Sequence, residues 1–149
     1  MPRSSRSPAV RLGVTLLMAA LAVAGCGERE PTAAEAGATL KTHILKLLDE
    51  VSAQNVQVTD PGGKDIPCGD GKAKRTFAAT APDSYQGSAP YTLNVMMIST
   101  LGDIADYKIT ESTGAIVHME NEPTRTVVIL ESAKGRYSAR GETQCLSRS

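Results

Sequence analysis

The spacing of apolar positions changes several times along the chain, and each change marks a boundary. The first block, LGVTLLMAALAVAG from Leu12 to Gly25, is continuously apolar and follows Arg3, Arg6 and Arg11. A basic start followed by an apolar run shorter than the ~20 residues of a membrane-spanning helix has the layout of an export signal. An uncleaved anchor is the alternative reading of the same run. From Cys26 to Ala38 the chain is small and polar, holds Pro31, and shows no apolar periodicity. Residues 26–38 therefore read as a flexible tether, about 40 Å long when fully extended.

Thr39–Ala53 places Leu40, Ile44, Leu47, Leu48 and Val51 on one helical face, with Lys41, Lys46, Asp49 and Glu50 opposite. This predicts an amphipathic helix. Val56–Gly71 is broken by Asp-Pro-Gly-Gly and Gly-Asp-Gly and reads mostly as loop, and Lys74–Thr80 reads as a strand. In the next segment Leu93, Met96, Met97, Thr100, Leu101 and Ile104 hold a 3.6-residue period. That predicts a second helix over 92–106, with Met96 and Met97 filling core. The period then drops to two, and 107–112, 115–121, 125–131 and 136–144 read as four strands joined by short turns. In the last strand Tyr137, Ala139, Gly141, Thr143 and Cys145 face one way, while Arg136, Ser138, Arg140, Glu142 and Gln144 face the other. The expected fold is α+β, with two helices on one face of an antiparallel sheet of about five strands, forming a single domain over 39–149.

Composition alters this picture in two respects. With four Tyr, one Phe and no Trp, the core must be aliphatic. The formal charge is zero, yet the first 25 residues carry only basic groups, so the chain from Cys26 onward is mildly acidic. A body without a basic stripe argues against nucleic acid or an anionic surface as a partner.

The chain has three cysteines, and Cys26 stands where the apolar run meets charge. Val23-Ala24-Gly25-Cys26 resembles the lipobox of bacterial lipoprotein precursors. The resemblance implies cleavage after Gly25, so that 1–25 is a signal peptide, and a thioether-linked diacylglyceryl group on Cys26. Small side chains at Ala24 and Gly25 would admit a peptidase, and a thiol is nucleophilic enough to take the lipid. An ordinary secretory cleavage site that leaves a free thiol is the alternative. Two acyl chains hold a protein stably on a membrane where one does not. With Cys26 acylated and the body in an oxidising compartment, Cys68 and Cys145 are the remaining thiols, and a disulfide between them is the simplest outcome. The Ala- and Gly-rich body also resembles, in general layout, small uncharacterised lipoproteins of high-GC Gram-positive bacteria, a resemblance that carries no site residues.

Other constellations give no chemistry. Cys68–Arg75, CGDGKAKR, lacks P-loop spacing and precedes a strand. His43, at the edge of the first helix's apolar face, and His118, in a strand, have no local catalytic partner signature. Lys72, Lys74, Arg75, Arg136 and Arg140 would form a basic patch only if their strands were neighbours. No catalytic residue, cofactor or metal site is expected. The expected function is a lipid-anchored extracytoplasmic binding or accessory module, tied to the membrane through Cys26 and taking an envelope protein or lipid as ligand. A structural envelope component without ligand is the alternative, and a small hydrolase stands behind both.

Overall fold

A computed structural model describes residues 29–85 and 87–148. The expected signal segment, the expected lipobox and Cys26 lie outside the described residues. Helix α1 (Ala33–Glu50) is followed by strands β1 (Gln57–Asp60), β2 (Ile66–Gly69), β3 (Lys72–Lys74) and β4 (Thr76–Pro82). Helix α2 (Pro90–Ile104) leads into β5 (Lys108–Thr113), β6 (Ile116–Asn121), β7 (Thr126–Leu130), β8 (Arg136–Thr143) and the short β9 (Leu146–Ser147). Six strands form an antiparallel sheet in the order β1-β4-β8-β7-β6-β5, and β2-β3-β9 form a second, small sheet. The class is α+β.

The expected meander is present, with each of its strands within about a residue or two of the period-two reading. Alternation on β4, β6 and β8 sends Phe77, Ala79, Val117, Met119, Tyr137 and Ala139 to one face, where they are buried with Val128 and Leu130 of β7. Both helices cover that face. Leu40, Ile44, Leu47 and Leu48 of α1 join Leu93, Met97 and Leu101 of α2 in the same core. Each such side chain contributes about 1.5–3 kcal/mol by leaving water. The helix–sheet distance is short at Gly141, where an added Cβ would lie 2.6 Å from Leu40 Cδ1 and 2.6 Å from the Val127 carbonyl oxygen.

Met96, expected to fill core, is 36% exposed, and three further expectations need correction. The first helix begins at Ala33 rather than near Thr39, so the last six residues assigned to the tether are helical. Thr32 caps the helix in a capping box: its hydroxyl accepts from the Glu35 amide, and the Glu35 carboxylate accepts from the Thr32 amide. Ala33 and Ala36 continue the buried stripe of Leu40 and Ile44, packing on Ala73 and Leu146 of the small sheet. Alanines carry the stripe at too low a hydropathy to register as periodicity.

Secondly, the stretch 56–71 is not mostly loop, because it holds β1 and β2. β1 is an edge strand with three of four residues exposed, and β2 is exposed throughout, so neither shows hydrophobic alternation. Thirdly, the single strand expected over 74–80 is two strands in different sheets, divided at Arg75. The Arg75 amide donates to Thr143 Oγ1 at 3.0 Å, and its carbonyl accepts from the Thr143 amide at 2.9 Å. These bonds hold the chain against the end of β8 while it passes from one sheet to the other.

Candidate functional site

The disulfide joins Cys68 and Cys145, with their Cα atoms 5.9 Å apart and a sequence separation of 77. It staples β2 to the segment between β8 and β9. CGDGKAKR is a β-hairpin in which Gly71, at φ 67°, closes the turn between Gly69 and Lys72. Its glycines serve the turn and the approach to the disulfide, and no helix N-terminus follows them.

The basic residues do not gather. Lys74 pairs with Glu142 at 2.9 Å, Arg75 with Asp65 at 2.7 Å and Arg140 with Glu131 at 3.6 Å. Arg136 sits opposite Pro82 at the far end of β8 from Glu142. β4 and β8 are neighbours, yet ion pairs and strand length disperse the charge.

The two histidines lie on opposite sides of the sheet. His118 is on the uncovered face, in register with Glu111 on one side and Ile129 on the other. His43, half-buried on α1, belongs to a polar network at the end of the covered face. That end differs from the rest of the face, since Thr126, Thr143 and Asn121 are all buried there. Tyr107, just before β5, inserts its hydroxyl among them. Its Oη lies 2.8 Å from Thr126 Oγ1 and 3.1 Å from His43 Nδ1. The two rings meet edge to face, with centroids 5.7 Å apart. Thr126 Oγ1 is 2.8 Å from Thr124 Oγ1, which donates to Asn121 Oδ1 at 2.6 Å.

The direction of every proton in this chain is fixed from one end. Asn121 Oδ1 also accepts the Thr124 backbone N–H at 3.0 Å, so that atom is the amide oxygen and can only accept. The Thr124 hydroxyl spends its proton on Asn121, so Thr126 donates to Thr124. Tyr107 then donates to Thr126, and His43 Nδ1 donates to Tyr107. The neutral imidazole is therefore the Nδ1–H tautomer, with its lone pair on Nε2. Burial, reinforced by the nearby Lys46 charge, lowers the His43 pKa. Burial also raises the Tyr107 phenol above its ordinary value. A phenol that already donates inward and is harder to ionise is poorly suited to act as a nucleophile or base. The network clasps α1, the entry to β5 and the β6–β7 turn together.

Around this clasp the surface is hollowed. A cavity of about 470 Å³ is lined by Asp106, Lys108, Thr110, Glu120, Glu122, Pro123 and Arg125. A second, of about 450 Å³, runs between the start of α1 (Arg29, Pro31, Glu35, Ala36, Thr39) and Pro123 and Thr124. The β6–β7 turn separates them. Arg125 there has φ 55°, a left-handed conformation that a non-glycine residue adopts at a cost of about 1–2 kcal/mol. The Gln144 amide donates to the Arg125 carbonyl at 2.8 Å and helps to hold it. The charges around the first cavity are mostly engaged: Lys108 with Asp106 at 2.5 Å, Arg125 with Glu30 at 3.5 Å, and Glu120 with Gln144 at 2.6 Å.

Sequence reasoning missed Tyr107, Thr124, Thr126 and Asn121 as a group, because Tyr107 is remote from the β6–β7 turn in sequence and the four carry no motif. It also missed Asn94, buried on α2, whose Nδ2 donates to the Ala115 carbonyl at 2.6 Å and whose Oδ1 accepts from the Ser132 amide at 3.2 Å. A lone Asn on the apolar stripe of a helix was the available signal. Among the described residues, no group of three or more His, Cys, Asp or Glu side chains is placed to hold a metal ion. Set against known protein families, curated proteins and solved structures, the chain matches none.

Proposed function

We propose that the protein is a lipid-anchored extracytoplasmic protein whose body serves as a non-catalytic binding or accessory module of the cell envelope. The observation that carries this reading is the pairing of Cys68 with Cys145. It accounts for two of the three cysteines, and the third, Cys26, stands in a sequence context that resembles a lipobox. A disulfide across the body suits an oxidising compartment. The mixed-charge hollows beside the β6–β7 turn suit reversible binding of a polar ligand, whereas the buried hydroxyls behind them are already committed to one another. The internal pairing of the cavity charges favours, as a second reading, a structural envelope component without ligand.

Cys26→Ala is expected to abolish fatty-acid labelling and either release the protein to the medium or leave an unprocessed precursor. A wild-type protein that is unlabelled and soluble would sink the anchoring half of the proposal. For the binding half, wild-type body and a Lys108→Glu/Arg125→Glu variant are used to capture proteins and lipids from envelope extract. Capture lost in the variant supports a ligand at this end of the sheet, identical capture places a ligand elsewhere on the body, and no capture by either protein supports the structural reading.

A further inference from the structure

Resting on the lipid anchor proposed above, we infer that the end of the body bearing the β6–β7 turn is docked against the bilayer, with phospholipid headgroups as its partner. Chain length sets the constraint. Residues 29–32 lie on the body: Arg29 pairs with Glu35 at 2.7 Å, Glu30 with Arg125 at 3.5 Å, and Thr32 caps α1. Arg29, Glu30 and Pro31 line a hollow with Glu122, Pro123 and Arg125. Cys26 precedes Arg29 by three residues, which reach at most about 11 Å. The polar layer on each side of a bilayer is itself about 5–8 Å deep. A lipid on Cys26 therefore holds Arg29, and with it the turn from Glu122 to Arg125, at the headgroup surface, leaving little length for the body to stand off or tumble.

The charges at this end are of both signs, with Arg29, Lys108 and Arg125 set among Glu30, Asp106, Glu120 and Glu122. Such a surface has no net pull towards anionic lipid, so the anchor sets the docking and salt does not reverse it. The opposite end then faces outward. It carries the β5–β6 turn, where Thr113 pairs with Ile116, and the start of α2, with Tyr91 75% exposed.

The lipidated protein, purified from membranes, is reconstituted in phosphatidylcholine vesicles containing a headgroup-nitroxide lipid. A fluorophore is placed at Glu122→Cys or Thr113→Cys, both exposed and at opposite ends of β6. The two positions are about 20 Å apart along the strand, so quenching at Glu122 is expected to exceed that at Thr113 by more than about threefold. Inserting about twelve Gly-Ser residues after Gly27 adds an average reach of about 20 Å and should bring the ratio close to one while the protein still floats with vesicles. Flotation with equal quenching at both sites in the unmodified tether overturns the docking and leaves the anchor standing. Failure to float overturns the anchor and the docking with it.

Discussion

Tyr107→Phe removes one hydroxyl and takes a hydrogen bond from each of two neighbours. Thr126 Oγ1 loses its donor and His43 Nδ1–H its acceptor, and Thr126 is fully buried. A buried group stripped of its partner costs about 1–3 kcal/mol. Denaturant unfolding should therefore show a loss of about that size, and a variant as stable as wild type would show that the network carries no net stability. His43 tests the same site through pH. Its folded pKa lies below the ordinary value of 6.5 because burial, and to a lesser degree Lys46, disfavours the imidazolium. The unfolded chain thus binds the proton first as pH falls. The stabilising contribution of neutral His43 is complete above about 6.5 and is lost as pH drops from there towards the lower folded value. His43→Asn keeps a donor near the position of Nδ1 without titrating, so the fall in stability between about pH 7 and 5 should shrink in that variant. An unchanged pH profile would exclude His43 as its source.

Helix α1 links the large sheet to the small one. Its first two turns contribute Ala33 and Ala36 to the contact with the small sheet, and its capping box fixes where the helix begins. Thr32→Ala removes the side-chain acceptor for the Glu35 amide and is expected to cost about 1 kcal/mol, read as a lower denaturation midpoint at unchanged m. No change in midpoint would mean that packing alone defines the start of α1. The capping signature Thr32-Ala33-Ala34-Glu35 is present in the sequence. A reading by periodicity begins at Leu40 and passes over it, because alanines bury little area each. Helix α2 shows the converse. Its 3.6-residue period was legible over three turns and its bounds follow to within two residues. The buried Asn94 within it could be assigned a purpose only once the Ala115 carbonyl and the Ser132 amide were known to stand beside it.

At the scale of the whole molecule, the disulfide ties the small sheet to the end of the large one. Closing a loop of 77 residues is worth up to roughly 4.5 kcal/mol in the chain-entropy account. Reduction, or Cys68→Ala with Cys145→Ala, is expected to lower the thermal midpoint markedly. A reduced protein that unfolds at the wild-type temperature would show the bond to be energetically idle.

The sequence by itself determined the fold class, the meander and its inward face, and the two helices that cover it. These follow from local rules: residues two apart share a strand face, residues three and four apart share a helix face, and water sorts the apolar faces inward. The cysteine arithmetic was legible for a similar reason, since an odd count in a chain with an export-like start leaves few pairings. Only the tertiary structure decided the rest. The exposed strands β1 and β2 have no apolar face to announce them, and their pairing is a backbone matter settled by which edges lie near. The clasp of His43, Tyr107, Thr126, Thr124 and Asn121 joins side chains up to 83 positions apart, and hydrogen bonds depend on distances that one-dimensional spacing does not contain. The same holds for the tether. Composition made it long and free, whereas the bonds of Arg29, Glu30 and Thr32 to the body shorten it, and that length sets how far the folded domain can stand from Cys26.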